Sequence, residues 1–249
     1  MRVQLQAAYV LHRRPFRDTS MLLDVFTAEY GLLSLVARGL NRRRHGGSLN
    51  SLLQPFKPLL LSFSGRGELL SLGSAESAGE LSPLLGDAML SGFYLNELLL
   101  RLLHRFVAQP QVFRAYATVL AELASKAHIE PALRRFEFTL LEELGYAVEL
   151  ESDALTGEPI VSQAMYTLVP ELGLRRSKVS SDGSRGVDFS GEALLRIARG
   201  DYGGSAASAA KRLVRTLLQP HLGSEPLRTR SMFASRPASA AVPASRADG

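Results

Sequence analysis

Near residue 80 the hydrophobic pattern changes period, and that change limits what each part of the chain can fold into. Up to about residue 78 the apolar residues fall in short runs: Gln4 to Leu11, Ser20 to Thr27, Leu32 to Arg38, Pro58 to Ser64 and Glu68 to Ser74. Short runs separated by turn signals such as Tyr30-Gly31 and Gly65-Arg66-Gly67 read as strands. Five strands in so little chain make a small barrel or a sandwich. A long connection from Gly39 to Gly47, followed by a short helix at Ser48 to Gln54 stopped by Pro55, separates the third strand from the fourth. That connection favours the five-stranded OB barrel.

From Pro83 onward the apolar residues recur at three- and four-residue steps, the signature of amphipathic helices. Leu90, Phe93, Tyr94, Leu98, Leu102 and Leu103 mark a core-facing helix over Ala88 to Phe106. A second is predicted from Pro110 to about Lys126, with Val112, Phe113, Tyr116, Leu120 and Leu123 on one side. A third runs from Ala132 to Leu144, opened by Pro131 and closed by Gly145. Residues 147 to 188 are rich in Gly, Pro and Ser and predict an irregular, cysteine-free insert with one hairpin around Met165 to Leu174. Helical pattern resumes at Gly191 to Arg199, with Ser190 as cap, and at Ser205 to Leu218. Residues 234 to 249 hold almost nothing apolar enough to pack and predict a disordered tail. The expected architecture is an α+β multidomain chain: a five-stranded OB-fold barrel over 1–80, then an α-helical domain over 81–233 that carries the insert.

The 249 residues are 46% hydrophobic and 21% charged, an ordinary globular balance that excludes wholesale disorder, collagen-like repeats and coiled-coil rods. No apolar run is long enough for a membrane span, and the start lacks the apolar core of a signal peptide, so a soluble intracellular chain is expected. The net charge of +5 is unevenly spread: +4 over residues 1–80, −2 over 81–150 and +3 over 151–249. A basic front block joined to a mildly acidic middle fits a polyanion-binding module attached to something with another task. Only Lys57, Lys126, Lys178 and Lys211 are lysine among the 29 basic residues. Arginine offers a planar fork suited to phosphate and to stacking, although a GC-rich genome would favour it equally.

Catalytic signatures are missing. Zero cysteines exclude disulfides, thiolate zinc sites, iron-sulfur clusters and a cysteine nucleophile. There is no Gly-rich phosphate loop followed by Lys-Ser/Thr and no G-x-S-x-G elbow. His12, His45, His104, His128 and His221 are scattered, and none stands in a spacing that places two nitrogens on one cation. No catalytic residue, metal site or cofactor is expected. A hydrolase would require a histidine and two carboxylates to converge in space.

Binding signatures are present. An OB barrel holds single strands with a basic groove and aromatic platforms. Arg13, Arg14, Phe16 and Arg17 are predicted to form a turn between the first two strands, with three guanidiniums around one ring; Phe16 stacks on a base or plugs the barrel end. Arg38, Arg42, Arg43 and Arg44 crowd the loop after the third strand, as phosphate contacts or as a solvated loop. Lys57 and Arg66 are candidate contacts or isolated surface charges. Lys211, Arg212 and Arg215 make a basic face on the last helix, either a second nucleic-acid contact or ordinary solvation. In the acidic block, Arg134 and Arg135 stand beside an apolar seam of Leu133 and Phe136, a place to clasp the carboxylate of an acidic, hydrophobic-ended peptide. The alternative there is a plain helix pair between Arg134 and Glu137.

Several segments carry a resemblance. Ala8 to Ser20, Leu53-Gln54-Pro55-Phe56, Gly65 to Leu69 and Ala75-Glu76 resemble the N-terminal barrel of the bacterial RecO family of recombination mediators. Gly92 to Leu99, Leu133 to Glu137, Leu144-Gly145-Tyr146, His221-Leu222-Gly223, Pro226-Leu227 and Ser231-Met232-Phe233 resemble its helical part, so the likeness spans about residues 4 to 233. The resemblance implies a non-enzymatic protein of the cytoplasm and nucleoid that binds single- and double-stranded DNA and anneals complementary strands. It implies partnership with RecR, with the acidic C-terminal tail of single-strand binding protein at the Arg134-Arg135 seam, and a functional link to RecA. Where many relatives have four zinc-binding cysteines after Leu-Gly-Tyr, this chain has Ser152, Asp153, Thr156 and Gly157, so zinc is not expected and packing alone must hold the insert. A protein-protein adaptor that touches DNA only incidentally is the competing reading.

Overall fold

The structure, a computed structural model, describes residues 1–17, 20–39, 43–44, 47–125, 128–177, 186–229 and 232. Five strands close into a barrel: β1 (Arg2–Phe16), β2 (Ser20–Thr27), β3 (Gly31–Arg38), β6 (Leu59–Ser64) and β7 (Leu69–Ser77). Their order is β1-β2-β3-β7-β6, antiparallel except for the parallel β3–β7 pair, which is the OB arrangement expected from the sequence. The excursion between β3 and β6 holds a short hairpin, β4 (Arg43–Arg44) with β5 (Gly47–Ser48), and the single turn α1 (Leu49–Leu52). Ser48 caps that turn by accepting a bond from the Ser51 N–H.

β1 is long because it serves two neighbours. Residues 2–8 pair with β6 and residues 8–16 pair with β2, so the partner changes at Ala8; bulges between Val3 and Gln6 and between Val10 and His12 bend the strand on either side of it. Strand alternation then sorts the side chains. Val10, Leu23, Val25, Leu33, Leu35, Leu61, Phe63 and Leu70 fill the barrel, while Tyr9, Leu11, Phe26 and Leu32 point outward into the helices.

Besides α1, the helices delimited among the described residues are α2 (Asp87–Leu102), α3 (Pro110–Ala124), α4 (Ile129–Glu143), α5 (Gly191–Ala198) and α6 (Ala206–Leu218). Leu95, Leu98, Leu99, Val112, Tyr116, Leu120, Phe136 and Leu140 form one core with the outward barrel residues. Tyr9 meets Tyr116 edge-on at 5.1 Å and Phe26 meets Phe113 at 5.4 Å. Buried Asn96 completes the join: its amide donates to Leu11 O on the barrel, and its oxygen accepts from the Tyr116 hydroxyl. Gly145 at φ +74° ends α4 as a Schellman turn, with Tyr146 N–H on Leu141 O and Gly145 N–H on Glu142 O.

Three expectations need correction. The first long helix stops at Leu102, not Phe106, because the chain beyond it turns to lie along β3: Arg105 bridges Leu32, and Phe106 N–H donates to Leu32 O. The close approach needs Gly31, at φ +66°, where a Cβ would stand 1.9 Å from Val107 O. The stretch Arg13 to Phe16 is the end of β1 rather than a turn. Within the irregular insert, residues 147–164 are turns and loops, but the expected hairpin, β8 (Met165–Val169) with β9 (Gly173–Arg176), gains a third strand, β10 (Val187–Ser190), while 178–185 lie outside the described residues. Tyr166, Leu168, Leu174 and Phe189 on this sheet bury against Leu194, Ile197, Ala210 and Leu213 of α5 and α6. The predicted tail 234–249, Lys126 and Lys178 lie outside the described residues.

Two residues one turn apart on α2 hold the far end of the chain. Glu97 accepts bonds from the N–H groups of Arg228 and Thr229 and from the Thr229 hydroxyl. Arg101 pairs with Glu97 and donates to the carbonyls of Leu222, Glu225 and Pro226.

Candidate nucleic-acid interface

Half of the barrel's outer face is covered and half is open, and strand register decides which residues lie on each. Tyr9, Leu11, Phe26 and Leu32 lie under the helices. Beyond them the β1-β2-β3 register sets three rows: His12–Asp24–Ser34, Arg14–Leu22–Val36, and Phe16–Ser20–Arg38. Leu22 and Val36 form a nearly covered apolar floor, and Arg14 and Arg38 are exposed beside it. Neither arginine has an ion pair among the described residues. Phe16 is half-buried, with the Arg17 guanidinium 5.3 Å from its ring centre. Cations, an apolar floor and an aromatic ring thus share one open face, the combination a nucleic acid strand requires.

Arg13, adjacent to Arg14, alternates to the other side. It donates to Asn50 O, Leu53 O and Asn50 Oδ1 at 3.2, 3.3 and 2.9 Å, closing the barrel end against the C-terminus of α1. Lys57 does similar work, its Nζ 2.9 Å from Ser51 O. Arg43 and Arg44 belong to the hairpin that follows β3, and Arg42 lies outside the described residues. Arg66 is exposed in the β6–β7 turn, next to Gly65, whose carbonyl accepts from the N-terminal amine. That turn stands near the start of β3, because β7 begins opposite Ser34, whereas Arg38 ends the strand.

The basic face on α6 is mostly occupied. Lys211 reaches Glu130 at 3.1 Å, and Arg212 donates to Asp188 O while lying 4.8 Å from the Phe189 ring centre. Arg215 is exposed.

The seam on α4 differs most from its sequence reading. Leu133 and Phe136 are in the core, and Arg134 is buried with them. Arg134 pairs with the fully buried Glu137 at 2.9 Å, and that carboxylate also accepts from the Tyr94 hydroxyl of α2 at 2.6 Å. The helix pair foreseen as the alternative is therefore present, but inside the protein rather than on its surface. Burial pushes the Glu137 carboxyl up to about 7 against the pull of Arg134 and Tyr94. Of the four seam residues only Arg135 is exposed, 2.6 Å from Glu122 on α3.

Asp153 anchors the segment where cysteines were lacking. It accepts from the N–H groups of Leu155 and Thr156 with one oxygen and of Arg176 with the other. Burial raises its pKa, but these three backbone donors outweigh that and leave it below the ordinary aspartate value. Among the described residues no three His, Asp or Glu side chains gather in a metal-binding group, and no helix is long and apolar enough to cross a membrane.

Sequence reasoning overlooked Arg105, which reaches the open face from the α2–α3 connection and bonds Asp24 and Ser34. Its only signal was its place at the end of a helical stripe.

Comparison with known proteins agrees with this architecture. Residues 1–80 match the family Recombination protein O N terminal, and residues 86–231 match Recombination protein O C terminal. DNA repair protein RecO of Pseudomonas paraeruginosa is 46% identical over 232 residues, covering 93% of this chain and 95% of the relative. The proteins of the same name from Nitrosococcus oceani and Halorhodospira halophila are 46% and 44% identical, covering 94% and 97% of the relatives and 94% and 93% of this chain. A barrel with OB strand order, a helical part joined to it through buried aromatic rings, and this identity along nearly the whole length place the chain in the RecO family of DNA repair proteins.

Proposed function

We propose that the protein is a non-enzymatic mediator of DNA repair and homologous recombination, which binds single- and double-stranded DNA and anneals complementary strands. The observation that supports this reading is the open half of the barrel face, where Arg14, Arg38 and the Phe16–Arg17 pair surround the Leu22–Val36 floor. Phosphates meet the guanidiniums, and a base stacks on the ring, without any sequence-reading contact. Arg66 and Arg215 extend the positive surface, and Arg43 and Arg44 are proposed as further phosphate contacts; Arg13, Lys57, Lys211 and Arg212 act mainly through the folds they hold.

In the same reading the helical part recruits company: RecR, the acidic tail of single-strand binding protein, and RecA, which the protein helps to load onto coated DNA in the nucleoid. The tail is proposed to reach α4 at Arg135, displacing Glu122, while Leu133, Arg134 and Phe136 shape the helix behind it.

Fluorescence anisotropy with a labelled oligonucleotide tests the binding step. The logarithm of affinity is expected to fall linearly with the logarithm of salt concentration, by about 0.7 per phosphate contacted on a single strand. A flat response overturns the reading. Annealing of oligonucleotides coated with single-strand binding protein tests the mediator step.

A further inference from the structure

The open barrel face contains an acid at its inner border. Asp24 stands on the row His12–Asp24–Ser34, where a bare carboxylate would repel a polyphosphate approaching Arg14 and Arg38. It is not bare. Arg105 Nη2 donates to Asp24 Oδ1 at 2.8 Å, and Arg105 Nη1 donates to Ser34 Oγ at 2.7 Å. The other oxygen of Asp24 lies 3.8 Å from His12 Nδ1. The arginine backbone is fixed too, through its bridge to Leu32 and the bond from Phe106 N–H to Leu32 O.

Neutralising Asp24 does not exhaust this guanidinium. A guanidinium has five N–H donors, and these two bonds use one on each terminal nitrogen. The side chain is 42% exposed. Its remaining donors stand at the border between the covered and open halves of the face. From Ser34, which anchors it, to Arg38 is four residues of β3, about 13 Å at about 3.3 Å per residue. Arg105 and Arg38 therefore close the two ends of the open half, with Arg14 and the apolar floor between them. An arginine already held in place loses less freedom on binding than one that must be ordered.

We infer that Arg105 is a phosphate-contacting residue of the nucleic-acid face, supplied by the helical part and oriented by Asp24 and Ser34, and that its ligand is the phosphodiester backbone of a single strand. The inference rests on the binding face proposed above. It makes that face composite: the barrel alone does not carry the full set of cations.

The test is the salt dependence of oligothymidylate binding by the full chain, wild type against the double substitution Arg105→Gln with Asp24→Asn, with Arg38→Ala measured alongside. The double substitution leaves net charge unchanged and keeps side chains able to hydrogen-bond, so the Arg105–Phe106 segment stays on β3; thermal unfolding verifies this. The slope is expected to fall by about 0.7, so that wild type loses about threefold more affinity than the variant as salt rises from about 50 to 200 mM. If Arg105 only neutralises Asp24, removing both charges leaves slope and affinity at wild-type values, and the inference is overturned. Should Arg38→Ala also leave the slope unchanged, the binding face itself has failed; should Arg38→Ala lower it while the double variant does not, only the assignment of Arg105 has failed.

Discussion

Arg134 and Glu137, three residues apart on α4, form an ion pair 2.9 Å long whose carboxylate is wholly shielded from solvent. The Tyr94 hydroxyl closes the carboxylate from α2. Because burial holds Glu137 at about 7 in the folded protein against 4.5 as its ordinary value, the folded state binds the more protons between those limits. The contribution of this group to stability is therefore greatest below about pH 4.5 and is lost as pH rises to about 7. Denaturant midpoints measured across that range are expected to show this decline, and the Glu137→Gln protein is expected to lack that component of the slope.

Arg134 and Arg135 separate a fold effect from a binding effect. Truncating Arg134 to Ala leaves Glu137 buried without its cation and is expected to cost about 3–5 kcal/mol in chemical unfolding. Arg135→Ala breaks only a half-exposed pair with Glu122, worth about 0–1 kcal/mol. It is expected to weaken binding of an acidic tail peptide while sparing both the unfolding curve and oligonucleotide binding. Equal loss of peptide and oligonucleotide binding would contradict two separate sites.

Neighbouring arginines on β1 should behave in opposite ways. Arg13→Ala removes charged donors from the end of α1 and is expected to lower stability by about 1.5–3 kcal/mol. Arg14→Ala and Arg38→Ala touch no such bond and are expected to change stability by less than about 0.5 kcal/mol. Each should lower the salt slope of single-strand binding by about 0.7. Parallel unfolding and anisotropy measurements on the three variants distinguish these roles.

Asp153 is expected to be the weak point of the three-stranded insert in acid. Its carboxyl sits below the ordinary value, so its contribution is present above about pH 3.8 and disappears as pH falls through the lowered folded value. Asp153→Ala leaves the N–H groups of Leu155, Thr156 and Arg176 without their acceptor, at about 1–3 kcal/mol for the site. Amide exchange is expected to accelerate first at these three residues.

Gly31→Ala is expected to lift the segment around Val107 from the barrel, since the added methyl would overlap Val107 O. Exchange at Phe106 N–H, which bonds Leu32 O, reads that displacement directly.

What the sequence revealed were features with a local cause. β2 begins and ends where it was predicted, at Ser20 and Thr27, and α4 ends at Gly145 because glycine is the residue that accepts the turn there. The OB order followed from the count of strands and the helix-bearing excursion. What escaped were features that depend on distant chain. Arg13, Arg14 and Pro15 look like a turn, yet pairing with Met21 to Leu23 keeps them in a strand, and only Arg17 lies in the turn. Arg105 looks like the last turn of a helix until β3 is placed beside it. The pairing of Arg134 with Glu137 was readable from their spacing; its burial was not, because Tyr94 and the core around Leu133 come together only in three dimensions. β10 stayed hidden because its four residues follow a polar run and pair with β8 across it.

The grip of Glu97 and Arg101 on residues 222–229 has a consequence for synthesis. A ribosome releases the barrel and the first long helices well before Pro226 and Thr229 emerge, so α2 waits with its clasp unfilled while more than a hundred residues are still to come. Final locking of this helix thus lags behind its synthesis by more than a hundred residues, and nascent or shortened chains that lack residues 222–229 would present α2 in a looser state to chaperones and proteases.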